Sequence, residues 1–318
     1  MPAIAAAVLG DHADFYWHIG DFRKIYDFDE DMEHEPAYRK QPMNILFYEY
    51  MAWPDFIQHQ LSPFGSLPVF LVIGNHETIP PKARSDYIAQ FADWLDAPTI
   101  RDQRLRDDPN DHQIKTYYHW VISHVDFFSI DNATPDQFDL LQLHWFESVL
   151  KRDERDPSIR TLVVGMHEPL PDTISTYNMA KQFNGISYTG LETGHRVGAE
   201  LLQAQNEFHK RVYILDGHDH FYLQGTMNTS YWRAHGGVLP TWTIGTAGAT
   251  RYPLPDNASE ATAAKINVYG YILATVQPDG QIQFRFHPIA ESQVPASVVN
   301  EFTPEFVNWC FTENTHVK

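Results

Sequence analysis

Short apolar runs that stop abruptly at glycine or polar residues set the rhythm of this chain. Residues 14–19 (DFYWHI) run into Gly20-Asp21, and residues 68–73 (PVFLVI) run into Gly74-Asn75-His76-Glu77. Apolar runs of this length bounded by turn residues predict strands buried on both faces. Residues 160–166 end at His167 in the same way, and 212–215 end just before Gly217-His218-Asp219-His220. Residues 117–122 and 125–130 alternate about a tight turn and predict a hairpin. Residues 242–244, 269–276 and 281–287 are further strands, the last two joined by the turn Pro278-Asp279-Gly280.

Helical spacing marks residues 43–61, interrupted at Pro54, and residues 85–95, with Ser85 as N-cap. It also marks 136–150, through Phe138, Leu141, Trp145 and Val149, and 199–209. Residues 2–9 read as a piece of helix. Strands and helices alternate first and hairpins follow. That order predicts an α/β fold: two mixed β-sheets packed as a sandwich and flanked by helices. Segments 22–66, 98–116 and 171–198 read as long polar connections, and connections of such length are often functional. None of them marks a domain boundary, so a single domain over 1–318 is expected.

Composition narrows the function. Lys and Arg total 23 against 41 Asp and Glu, a net charge of −18. A basic footprint for nucleic acid is therefore not expected, and an anionic substrate must be drawn in locally, which bound cations would do. Cys310 is the only cysteine, so an internal disulfide and a cysteine zinc site are excluded. No run approaches the roughly 20 apolar residues of a membrane span. Of the 17 histidines, those in helical stretches, such as His59, His144 and His209, are expected to face solvent. Compartment and oligomeric state stay open.

Four strand ends carry side chains able to bind metal: Asp21, then Asn75 with His76, then His167, then His218 with His220. Ligands gather at the carboxyl ends of strands in α/β sheets. One carboxylate, one amide oxygen and several imidazoles suit Mn, Zn or Fe. Singly each has a plainer reading: Asp21 as a turn or cap residue, His167 as a bonded core histidine, His218 and His220 as a polar turn. Glu77, Glu168 and Asp219 read as charged neighbours, either supporting the site or solvated. For Arg251 the simpler reading is a surface position, and a bidentate phosphate contact is the alternative. Phe47, Tyr48, Tyr50, Trp53 and Phe56 are expected to pack in the core.

In this order the motifs resemble the calcineurin-like metallophosphoesterase superfamily, in its purple acid phosphatase-like branch. The family pattern is DxH, GD, GNH(D/E), a lone H, then GHxH, and the last four occur here. Tyr117-Tyr118 through Asp131 resembles the family hairpin ending in "vLD". Residues 142–146 (QLHWF) are similar to its "QLxWL" helix, and His167-Glu168-Pro169-Leu170 to its "HxPL". The resemblance spans residues 13–288 and leaves 289–318 as a C-terminal extension.

The resemblance implies a four-layer fold and in-line hydrolysis of phosphate mono- or diesters by a metal-activated hydroxide. It implies that Asp21 bridges two divalent metals, that Asn75, His167 and His218 complete the second site, and that His220 reaches the first. His76 would stand beside them as general acid or phosphoryl donor. The DxH motif has no counterpart, because Asp11-His12 has the wrong spacing. The first strand of the family is thus expected to be missing, with one metal or none bound. Where purple acid phosphatases carry a tyrosine, Lys24 stands here, so no purple Fe(III) site is expected. The competing expectation is a catalytically weak or inactive relative that binds a phosphate ligand or a partner. An amidohydrolase ranks last, since its HxH comes early and here the HxH is late.

Overall fold

The computed structural model describes residues 1–40, 42–133, 138–176 and 190–312. Eleven strands are present among them: β1 Tyr16–Ile19, β2 Val69–Val72, β3 Tyr118–Ile122, β4 Val125–Ser129, β5 Thr161–Gly165, β6 Arg211–Asp216, β7 Tyr222–Gln224, β8 Thr241–Ile244, β9 Ala263–Lys265, β10 Tyr269–Val276 and β11 Ile282–Ile289. Seven form one mixed sheet in the order β3-β4-β5-β6-β8-β7-β9. The expected hairpin is there as β3–β4, and β4, β5, β6 and β8 run parallel.

Side-chain alternation divides the core. Val125, Phe127, Val163, Tyr213 and Leu215 point to one face of the sheet, and Phe128, Leu162, Val164, Val212 and Ile214 to the other. Helix Leu140–Arg155 covers the second face through Phe146, Val149 and Leu150, and helix Gly190–Asn206 does so through Val197, Leu201 and Leu202. The first face meets two short ladders. Phe70 of β2 stacks on Trp120 at 4.0 Å, and Phe284 of β11 lies 4.1 Å from Trp242.

The second sheet of the sandwich is therefore split, into parallel β1–β2 and antiparallel β10–β11. Helices Pro2–Gly10 and Ile45–Phe56 add buried side chains to the same core. Four layers result: helices, the seven-stranded sheet, the two ladders, and helices again.

Several local readings change. Pro54 does not interrupt its helix. Ile45–Phe56 runs through it and widens into one π-helical turn at Ile57–Leu61, a turn whose longer spacing tolerates a disturbed hydrogen-bond ladder. Ser85 is not the N-cap. Helix Arg84–Gln90 starts after Ala83, whose N–H donates to the Asp86 carboxylate. The connections 22–66 and 98–116 contain helices, Pro98–Asp107 among them. Of the connection 171–198, residues 177–189 lie outside the described residues. Tyr48, Trp53 and Phe56 are core residues as expected, but Tyr50 is 75% exposed.

One buried network gives the fold a pH dependence. His119 is 2% exposed and lies between Asp126 (2.7 Å) and Asp107 (2.5 Å), with Arg152 paired to Asp107 and Asp153 beside Asp126. Burial opposes its charge, but Asp126 and Asp107 prevail and raise it to about 9. A raised histidine stabilises fully below its unfolded value of about 6.5 and loses that contribution as pH rises through 9. Burial and Asp126 push Asp153 up to about 8, which acts in the same direction. Stability is expected to fall by on the order of 3 kcal/mol between pH 6.5 and 9. Thermal melts across that range check this, and the fall should be smaller in His119→Gln, with the part due to other raised groups such as Asp153 remaining.

Candidate metal centre

Each candidate side chain leaves the carboxyl end of a strand: Asp21 after β1, Asn75 and His76 after β2, His167 after β5, His218 and His220 after β6. The register Ser129–Gly165–Leu215 across β4, β5 and β6, and Ile19–Val72 across β1 and β2, sets these ends level. Gly20 (φ 85°) and Asp21 (φ 55°) turn the chain back in the left-handed region. A Cβ on Gly20 would lie 2.5 Å from His167 Nδ1, and one on Gly74 would lie 2.3 Å from Asp21 Oδ1. Glycine is what lets these loops approach so closely.

Glu77 fastens the first two loops together. Its carboxylate is fully buried and accepts from the backbone N–H groups of Phe22 (2.8 Å), Asp21 (2.9 Å) and Gly74 (2.8 Å). Burial and the Asp21 charge push it up to about 8, against the pull of the amides. The His76 N–H donates to Asp21 Oδ1 at 3.0 Å.

Four donor atoms then meet at one point. His167 Nε2 lies 3.0 Å from Asp21 Oδ2, 3.1 Å from Asn75 Oδ1 and 3.2 Å from His218 Nδ1, and His218 Nδ1 lies 3.0 Å from Asn75 Oδ1. His167 Nδ1 donates to the Ile19 carbonyl at 2.8 Å, which turns Nε2 inward. Metal-binding histidines are oriented by such backbone bonds. Lone pairs crowded this closely repel unless a proton or a cation sits among them. Burial disfavours charge on His167, yet Asp21 outweighs it and raises the ring to about 9. Burial also opposes ionisation of Asp21, but His167, with His76 and His218 behind it, holds that carboxyl well below the usual range. The same attraction favours a cation. Edges of 3.0–3.2 Å match a shell with bonds of roughly 2.1 Å, so the residues fit a divalent metal.

Two more histidines flank this group. His76 Nδ1 bonds the Lys24 carbonyl at 2.7 Å, leaving Nε2 3.8 Å from Asp21 Oδ2. His220 Nδ1 bonds the Thr250 carbonyl at 2.5 Å, and its ring stacks on Tyr252 at 4.0 Å. The group of metal-capable donors that gathers here is Asp21, His167 and His218, without His220. Burial lowers it to about 4 and lowers His218 to about 3. Among the described residues, three or more His, Cys, Asp or Glu donors gather at one other place, Glu35, Asp55 and His59. His59 does not face solvent, because Asp55 (2.8 Å) and Glu35 (3.2 Å) hold it.

Supporting residues emerge that the sequence reading passed over. Asn132, after β4, accepts from the His167 and Glu168 N–H groups at 3.1 and 3.0 Å and donates to the Glu168 carbonyl. Its signal was present: β4 too ends in polar side chains, Asp131-Asn132. Asp219 is buried and accepts from the Ser175 hydroxyl (2.6 Å), the Thr176 N–H (3.1 Å) and the Thr176 hydroxyl. Glu168, at 4% exposure, is buried as well, so none of the three charged neighbours is solvated. Arg251 is not on the surface. It is 2% exposed and lies 4.1 Å above the Tyr269 ring.

The profile of calcineurin-like phosphoesterases matches residues 3–222. The chain belongs to that family. A search of curated proteins finds no match. Two of the solved structures that match are similar in fold to this chain. The purple acid phosphatase PPD1 from yellow lupin (Lupinus luteus) seeds is 15% identical with a TM-score of 0.56, over 90% of this chain and 46% of that one. PhoD is 11% identical with a TM-score of 0.55, over 91% of this chain and 68% of that one. The chain thus spans less than half the length of the lupin enzyme. Among its described residues no helix is long and apolar enough to cross a membrane.

Proposed function

We propose that this phosphoesterase hydrolyses small phosphate esters, mono- or diesters, with a divalent cation (Mn, Zn or Fe) held by Asp21, Asn75, His167 and His218. The observation that carries the reading is the convergence of their four donor atoms at 3.0–3.2 Å. A divalent cation in such a place supplies a Lewis acid that polarises phosphoryl oxygens and acidifies water. Asn132 and the Ile19 carbonyl fix the angle of His167. Glu77 fixes Asp21 and the loop that bears Asn75. His76, oriented by the Lys24 carbonyl, presents Nε2 to the cleft, where it donates to a phosphoryl oxygen or to the departing one.

A second reading, a weak or inactive enzyme that retains phosphate binding, is favoured by the donor group itself, which gathers Asp21, His167 and His218 but not His220. Both are tested by assaying the purified chain on 4-nitrophenyl phosphate with Mn²⁺, before and after exhaustive chelation, with metal content measured in parallel. The hydrolytic reading expects activity that disappears on chelation and returns with metal. Hydrolysis that survives complete metal removal refutes it. A chain that binds phosphate but turns nothing over supports the second reading.

A further inference from the structure

Away from the centre, donors from three separate segments meet at a second place. Glu35 follows the short helix Glu30–His34, Asp55 and His59 lie on the helix Ile45–Phe56 and its π-helical turn, and Glu301 belongs to the helix Ala296–Phe302. His59 Nδ1 is 2.8 Å from Asp55 Oδ1, and its Nε2 is 3.2 Å from Glu35 Oε1 and 3.9 Å from Glu301 Oε1. One donor atom from each of Glu35, Asp55 and His59 lies within 4.8 Å of the other two. The carboxylates around His119 hold a ring nitrogen each but form no such converging group. Glu35 and Asp55 are buried, at 3% and 1% exposure. Arg23 is shared among Asp29, Asp31 and Asp55, and among the described residues no Lys or Arg pairs with Glu35. Two buried carboxylates this close repel unless a proton or a cation stands between them. Burial and Asp55 push Glu35 up to about 9, which is the same repulsion seen from the proton's side. The π-helical turn that carries His59 is of a kind that recurs at functional sites.

We propose that Glu35, Asp55 and His59 hold a second divalent cation, of the zinc or manganese kind, with Glu301 closing its open side. Carboxylates and an imidazole suit those ions, whereas calcium takes six or more oxygens. The His59 and Glu301 side chains are 17% and 37% exposed, so an ion has a way in. Its work is structural. It clasps the connection 22–66, through Glu35, Asp55 and His59, to the C-terminal helix that bears Glu301. Beside it, His34 stacks on Phe306 at 4.1 Å across the same junction. The proposal stands apart from the hydrolytic reading and does not need it.

The test uses the full chain carrying His167→Ala, stripped with a chelator and titrated with Zn²⁺ by calorimetry. One equivalent is expected to bind, and about a hundredfold excess over Kd should raise the Tm by roughly 5 °C. Adding Glu35→Gln should abolish both effects. That change keeps the shape of the side chain and removes one of two opposed carboxylates, so the metal-free Tm should not fall. Adding Glu301→Gln instead, at the exposed edge, should weaken zinc binding about tenfold. If the His167→Ala chain binds no zinc, a proton alone joins Glu35 to Asp55 and the proposal is overturned. Zinc binding that survives Glu35→Gln overturns it as well, because the ion then sits elsewhere. Should Glu35→Gln fail to fold, Glu301→Gln decides, and unchanged zinc affinity there overturns the proposal.

Discussion

His167→Ala is expected to remove bound metal and to reduce phosphoester hydrolysis by more than about 100-fold. His167 does two jobs at once. Its Nε2 is the atom common to the contacts with Asp21, Asn75 and His218, and its Nδ1 secures the end of β1 through the Ile19 carbonyl. Loss of a residue that only orients a ligand already costs 10–100-fold in affinity or activity, so loss of the ligand itself should exceed that range. Metal content by elemental analysis and kcat/KM on an aryl phosphate measure both parts. A variant that keeps wild-type metal and rate would sink the proposed centre. The contrast is His76→Ala, which should keep the metal and lower kcat by about 10²-fold. Metal retained at reduced kcat separates a phosphoryl donor from a ligand.

Glu77→Ala should be the most destabilising single change near the site, by roughly 3–5 kcal/mol. The cost is that of leaving three buried backbone N–H groups, on Asp21, Phe22 and Gly74, without an acceptor. No water can reach them easily, because the Glu77 side chain is fully enclosed. In a chain of this size the melting temperature should fall by on the order of 10 °C. Metal affinity should fall with it, since Asp21 and the Asn75 loop lose their common anchor. A melting temperature within a degree or two of wild type would mean that the loops are held by something else.

The places where sequence reasoning succeeded share a cause. Strands buried on both faces are mostly apolar, so the polar side chains that follow them at once, as at Asp21, Asn75, His167 and His218, stand out against the run before them. β-Strands with the same register then bring them together. What stayed hidden depends on contacts between distant segments. Nothing local marks Glu77 as the acceptor for residues 55 and 56 positions earlier in the chain, and its neighbour His76 is just as polar in sequence but less buried. Arg251 looks like any loop arginine until Tyr269 is placed beneath it. Pro54 looks like a helix breaker because the π-helical turn beyond it depends on packing rather than propensity. The second sheet was expected as one piece. β1–β2 and β10–β11 are instead held to the seven-stranded sheet by aromatic contacts, Phe70 on Trp120 and Phe284 on Trp242, which no periodicity encodes.

The crowded glycines of the centre bear on how such a site can be re-engineered. At Gly74 the backbone is ordinary, yet an added carbon would strike both the amide and the carboxylate of Asp21 at 2.3 Å; at Gly245 it would come within 2.0 Å of the Asp219 carbonyl. These positions work as spacers of zero thickness, and the separation of the donors is set by main chain resting on main chain. A designer wishing to admit a larger ion or a different coordination number cannot widen the cage by changing ligands alone, because the walls have no side-chain shim to trim.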